Sequence, residues 1–183
     1  MFQLKENSLL IADPFLKDPN FMRSVILLCS HNEEGSFGFK LNEVFDFTLD
    51  QLISGIDHHA YKVNVGGPVA LDTIHFLHQY PDLIPDAQAI DKDVFWGGDF
   101  EVVKQLMIAD QLAPEKIKFF IGYSGWGAQQ LDGELKEGSW LVNECVSRLI
   151  FEVAPDDIWK ESVRMMGDDY AQLINYPIDP QLN

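Results

Sequence analysis

Ser24-Val25-Ile26-Leu27-Leu28-Cys29-Ser30-His31-Asn32-Glu33-Glu34-Gly35-Ser36-Phe37-Gly38-Phe39-Lys40-Leu41 is a pair of apolar runs separated by a polar turn that ends in glycine. The first run, Ser24 to His31, is rich in β-branched and aliphatic residues and reads as a strand. Asn32 to Gly35 supplies turn chemistry, and Ser36 to Leu41 supplies the returning strand. The segment therefore predicts a β-hairpin, with two antiparallel neighbours near the start of the chain. A purely parallel, doubly wound sheet is not what such a chain calls for.

Outward from the hairpin, Ser8 to Ala12 and Lys116 to Tyr123 share its composition and read as strands closed by turn signals. Lys62 to Val65 reads as a strand closed by Gly66-Gly67-Pro68, and Ser139 to Asn143 as another. Thr73 to His78 fits a strand or a short helix and is taken as a strand. Thr48 stands three residues before Gln51, the capping-box spacing, and Leu49, Leu52 and Ile53 recur at helical intervals before Gly55. Val102, Val103, Leu106, Met107 and Ala109 follow a period near 3.6, which predicts a helix over Asp99 to Leu112, stopping before Pro114. Further helices are expected over Ala128 to Glu137, from Pro155 onward, and around Tyr170 to Ile174. Gly122-Tyr123-Ser124-Gly125-Trp126-Gly127 reads as a glycine-rich turn. Strands and helices interleaved around an early hairpin predict a mixed-sheet α+β fold, and no linker divides residues 1–183 into separate domains.

The chain carries 13 Lys plus Arg against 29 Asp plus Glu, a formal charge of −16. No two basic residues are adjacent, and a polyanion is repelled at long range, so direct nucleic-acid binding is not expected. Two cysteines are too few for the disulfide framework of a small secreted scaffold. Met1 to Asn7 lacks the basic and apolar segments of a signal peptide, and no apolar run approaches the roughly 20 residues that cross a bilayer. A cytoplasmic protein with no membrane partner is the expectation.

Several groups have the chemistry for a site. On a regular strand Cys29 and His31 project from one face about 7 Å apart, where an imidazole can draw the proton from a thiol. An inert core Cys29 is the competing reading. Ser124 lies between glycines after an apolar strand, yet the nucleophile elbow G-x-S-x-G has Trp126 where its last glycine belongs. Gly66-Gly67-Pro68 and Gly97-Gly98 are able to present N–H groups to an anion or to serve as tight turns. His58-His59 and His75-x-x-His78 raise the question of metal, but no third ligand stands at a recognisable spacing. On a strand His75 and His78 point to opposite sides. Arg23 needs an acidic partner if buried, with Asp18 the local candidate, and otherwise suits an acidic ligand.

Taken together, Leu10-Ile11-Ala12-Asp13-Pro14, Asp18-Pro19-x-Phe21-x-Arg23-Ser24-Val25-Ile26-Leu27, Cys29-Ser30-His31, Gly35-x-x-Gly38, Leu41-Asn42, Gly66-Gly67-Pro68-Val69 and Gly122 to Gly127 resemble the bacterial AlgH/YqgE family. Gln130-Leu131, Glu134-Leu135 and Gly138-Ser139-Trp140-Leu141 fit as well, so the resemblance runs from about Ser8 to Pro177. It implies a mixed, largely antiparallel bent sheet approaching a pseudo-barrel and packed by helices. It brings no established reaction. Members are commonly labelled transcriptional regulators, a label inherited from a role in exopolysaccharide control, which on this acidic chain implies an effect exerted through a partner.

The family motif positions here include Arg23, Cys29, His31, Asn42, Gly66, Gly67, Pro68, Ser124, Gly125, Trp126 and Gly127, and with Tyr123 they furnish the candidate site. Arg23, Asn42, the 66–68 turn and residues 123–127 are the ligand-binding candidates, while Cys29, His31 and Ser124 are the catalytic ones. The expectation is a noncatalytic domain, without cofactor or metal, that acts in regulation through a protein partner or small ligand. The alternative is a small enzyme, either a thiol-dependent redox protein through Cys29 and His31 or a hydrolase through Ser124.

Overall fold

The computed structural model describes residues 4–57 and 60–176. Its strands are β1 (Ser8–Ala12), β2 (Val25–Asn32), β3 (Gly35–Lys40), β4 (Val44–Thr48), β5 (Lys62–Val65), β6 (Val69–His78), β7 (Gln88–Asp91), β8 (Val94–Trp96), β9 (Ile117–Gly127) and β10 (Trp140–Glu144). Its α-helices are α1 (Leu49–Leu52), α2 (Phe100–Ile108), α3 (Gln130–Lys136), α4 (Ser147–Phe151) and α5 (Pro155–Arg164), with 3-10 turns at Pro114–Lys116 and Asp168–Asn175.

The strands run in the order β10-β1-β2-β3-β9-β6-β8-β7, and β5 bridges β4 and β9. All pairs are antiparallel except β5 with β9. This is a curled α+β half-barrel packed by helices, and the expected hairpin is β2 with β3.

The arrangement follows from β9. Its first part, Phe119 to Ile121, pairs with β5 along one edge, and its last part, Ser124 to Gly127, pairs with β3. The six residues read as a turn are therefore strand, and the sheet forks beside them. At the fork Gly122 takes φ +64, and the chain at Gly66 and Gly67 crosses against it so closely that a Cβ on Gly66 would lie 2.3 Å from the Gly122 oxygen. The Gly66 N–H donates to the Ile121 oxygen, and the Gly66 oxygen accepts from the Lys40 N–H. Glycine is required there because no side chain fits between two such backbones.

Alternation along β1 and β2 sorts the core. Leu9, Ile11, Val25, Leu27 and Cys29 join Phe39, Phe120 and the inner faces of α4 and α5. Leu10, Ala12, Ile26 and Leu28 face the other way, onto Trp126, Leu131 and Trp140. A further cluster packs Val63, Phe76 and Phe119 under Val103 and Met107 of α2. Among the described residues no helix is long and apolar enough to cross a membrane.

Candidate functional site

An open cleft of about 590 Å³ lies where β2, β3, β6, β8 and β9 converge. Phe37, Trp96, Tyr123 and His75 form its aromatic side, and Ser30, Asn32, Glu34 and Ser36 come from the β2–β3 hairpin. Phe37 meets Trp96 at 4.8 Å and Tyr123 at 6.1 Å, both edge to face. His75 meets Tyr123 at 6.0 Å in the same manner. Of the ligand-binding candidates, Tyr123, Gly125 and Trp126 border this cleft. The indole of Trp126 points away, toward Leu131 and Trp140, where its N–H donates to Glu134.

Arg23 and Asn42 stand elsewhere, beside a hollow of about 350 Å³ with Trp159 and Tyr176. The guanidinium sits 4.0 Å over the Trp159 ring and donates to the Tyr176 carbonyl. Burial lowers its pKa and Asp13 acts in the opposite sense. Among the described residues Asp13 is an acid whose charge bears on Arg23, whereas Asp18 accepts from the Asn20 N–H. Asn42 accepts from the Val25 N–H and donates to the Arg23 oxygen, tying the entry of β2 to the exit of β3.

The reactive pairings drawn from the sequence do not assemble. Between β2 and β3 the register shifts at Cys29: Leu28 opposes Gly38, Ser30 opposes Phe37, and His31 opposes Ser36. Opposed residues share a face, so this bulge turns Ser30 toward Phe37 and the cleft, and sends His31 to the face opposite Cys29. His31 Nδ1 instead lies 2.8 Å from the Ser36 hydroxyl. Cys29 is fully buried, and burial, aided by Cys145 and Glu6, pushes its thiol pKa up. Cys145 is pushed up to about 12, again mainly by burial. A thiol held protonated is no nucleophile. Both cysteines are expected to react with a thiol-selective reagent at pH 8 at least ~100-fold more slowly in the folded chain than in urea-unfolded chain.

Ser124 is also fully buried, and its hydroxyl donates to the Gly66 oxygen at 2.9 Å. It pins the fork rather than facing a substrate. Gly66 has already donated its N–H within the sheet, Gly67 packs on the backbone of Ser124, and Pro68 has no N–H to offer, so the 66–68 turn is a crossing point and not an anion nest. Gly127 pairs with Gly35, and its N–H donates to the Gln130 side chain at the start of α3.

His75 and His78 lie on one strand, as read, and diverge. The His78 Nε2 donates to the Gly97 oxygen and its Nδ1 accepts from the Tyr80 N–H, so the buried ring is neutral with both nitrogens occupied. Among the described residues no three His, Cys, Asp or Glu side chains gather as a metal cage. His58 and His59 lie outside the described residues. Burial lowers the pKa of both His75 and His78 below the ordinary 6.5, with the Gly97 bond opposing it at His78. As pH falls below 6.5 the unfolded chain binds protons that the folded chain resists. The stability these rings contribute is therefore complete above 6.5 and is lost as pH drops through the lowered folded values. Urea midpoints are expected to fall across that window, and His78→Gln is expected to flatten the slope.

Lys118 was not singled out by its pattern. Its amine donates to the Leu41 and Ile150 carbonyls beside a second cavity of about 320 Å³, and burial draws its pKa down to about 8. Those bonds join β9 to the end of β3 and to α4. Trp96, Phe37, His75 and Glu34 were also missed as cleft residues. Val94-Phe95-Trp96 before Gly97-Gly98 is the local signal that marks Trp96 as the end of a strand.

Comparison with known proteins adds family and fold. The family model described as AlgH-like matches residues 9–171. A UPF0301 protein of Chlorobaculum parvum is 42% identical over 180 residues, which are 98% of this chain and 96% of that protein. A UPF0301 protein of Cytophaga hutchinsonii is 41% identical over 98% of this chain and 100% of its own length. The solution structure of AlgH from Pseudomonas aeruginosa matches with a TM-score of 0.76 at 24% identity, covering 97% of this chain and 98% of that one. A crystal structure of a Corynebacterium diphtheriae protein matches with a TM-score of 0.78 at 20% identity, covering 96% and 94%. These structures share the fold.

Proposed function

We propose that this chain, which belongs to the AlgH-like family, is a noncatalytic recognition domain that binds a small ligand or a segment of a protein partner in the aromatic cleft. The observation that carries this reading is the contrast between the cleft and the reactive groups. Cys29 and Ser124 are sealed inside, while Tyr123, Trp96, Phe37 and His75 line an open cavity of ligand-binding size. Any regulatory effect passes through that contact and not through DNA, in keeping with the net charge of −16 and the scattered basic residues. In this reading residues 1–183 act as one unit in the cytoplasm.

The test is an NMR screen of the full chain with a fragment collection. Binders are expected to shift resonances of Trp96, Tyr123 and His75 together. Shifts confined to other surfaces, or turnover of an ester or thiol substrate abolished by Ser124→Ala or Cys29→Ser, defeat the proposal.

A further inference from the structure

Resting on that cleft reading and narrowing it, we infer that the ligand is an organic cation, a quaternary or alkylated ammonium group carried on a small molecule. The walls of the cleft are the first argument. Phe37 packs edge to face on both Trp96 and Tyr123, with interplanar angles of 60° and 79°, so neighbouring rings turn their faces in different directions. An aromatic face carries the negative end of the ring quadrupole, and a curved set of faces is what a methylated cation fits best.

Charge is the second argument. Glu34 is the one charged residue among the described lining residues, and neither lysine nor arginine lines the cleft. A ligand carboxylate or phosphate would meet Glu34 with no compensating cation. Around the cleft the whole molecule is strongly negative, which draws cations in from a distance.

His75 supplies the third. The Thr73 hydroxyl donates to the Ala70 oxygen, so at 3.1 Å from His75 Nε2 it has only a lone pair to offer and the ring must donate. That fixes the Nε2–H tautomer, leaves Nδ1 an acceptor, and keeps the imidazole uncharged at neutral pH, since burial lowers its pKa. The cleft thus holds π faces, one carboxylate and neutral Ser, Asn, Tyr and His groups, with no Lys or Arg among its described lining residues.

The experiment titrates the full chain with choline and with its neutral isostere 3,3-dimethylbutan-1-ol, following the Trp96 indole and Tyr123 resonances by NMR. Choline is expected to bind at least about fivefold more tightly than the isostere. Trp96→Leu is expected to weaken choline about tenfold, and Glu34→Gln, in an exposed turn that leaves the fold intact, by about threefold. Equal binding of choline and isostere, or choline affinity unchanged by Glu34→Gln, overturns the cation inference while leaving the cleft a binding site. A trimethyllysine peptide that binds more tightly than choline overturns the small-molecule carrier. Failure of every probe and fragment to move a cleft resonance defeats the cleft reading itself.

Discussion

Gly67→Ala is expected to destabilise the protein by about 3 kcal/mol, enough to remove a large part of an ordinary domain's stability. A Cβ on Gly67 would lie 2.3 Å from both the Ser124 nitrogen and the Tyr123 carbonyl carbon, and 2.4 Å from the Ser124 hydroxyl. The first two are main-chain atoms of β9, which cannot swing aside without breaking its pairing with β3 and β6. Residue 67 also takes φ +153, a conformation that side chains disfavour. Gly97→Ala separates the two causes. It too has a positive φ, +69, but nothing lies within 4 Å of its added Cβ, so only the backbone cost of about 1 kcal/mol is expected. Urea denaturation of both variants measures the difference, and equal losses would show that close approach at the fork is not what demands glycine.

Glu134→Ala is expected to cost about 2–4 kcal/mol, because it strands two indole donors at once. One carboxylate oxygen of Glu134 accepts from the Trp126 N–H at 2.9 Å and from the Trp140 N–H at 2.8 Å. The other oxygen accepts from the Gln130 amide at 3.0 Å. Both indoles are nearly buried and pack on Phe21, so water cannot readily replace the lost acceptor. Glu134→Gln keeps one acceptor oxygen and is expected to recover part of the loss. Equilibrium unfolding gives the energies, and the near-UV circular dichroism of the paired tryptophans reports the geometry. An alanine variant as stable as the parent would mean that the indoles find other acceptors.

The Glu134 clamp explains why Gln130, Glu134 and Trp140 appear together in the sequence, a grouping that pattern alone could register but not interpret. The fold itself was largely legible where periodicity was strong. The β2–β3 hairpin, β1, β5 and α2 follow from runs whose apolar spacing has one good solution, while Thr73 to His78, open to a strand or a short helix, forms the end of β6. The unread elements, among them the five-residue helix α4 packed against α5 and β9, are those whose stability comes from neighbours. Val44 to Thr48 is an exposed strand held by β5, and Gln88 to Asp91 with Val94 to Trp96 is a short hairpin against β6. Such short segments carry too little local preference to declare themselves. The last helix predicted around Tyr170 forms as a 3-10 turn over Asp168–Asn175, packed on α5.

At the candidate site the strand period was the right rule applied to the wrong register. Cys29 and His31 share a face on any regular strand, and one inserted residue separates them while bringing Ser30 to the cleft. Likewise Ser124 has the neighbours of an exposed turn, but the parallel arrival of β5 and the crossing at Gly66 bury it.

By itself the sequence determined the class of fold, the acidic character, the absence of a complete reactive motif and the family, because these depend on composition and on patterns local to the chain. The tertiary structure alone decided which candidates meet. Tyr123 joins Trp96, Phe37 and His75 because β9 lies between β3 and β6, and Arg23 is drawn to Trp159 across more than a hundred residues. Those encounters depend on how the sheet forks and on where a bulge shifts a register, and both are set by the packing of distant backbones.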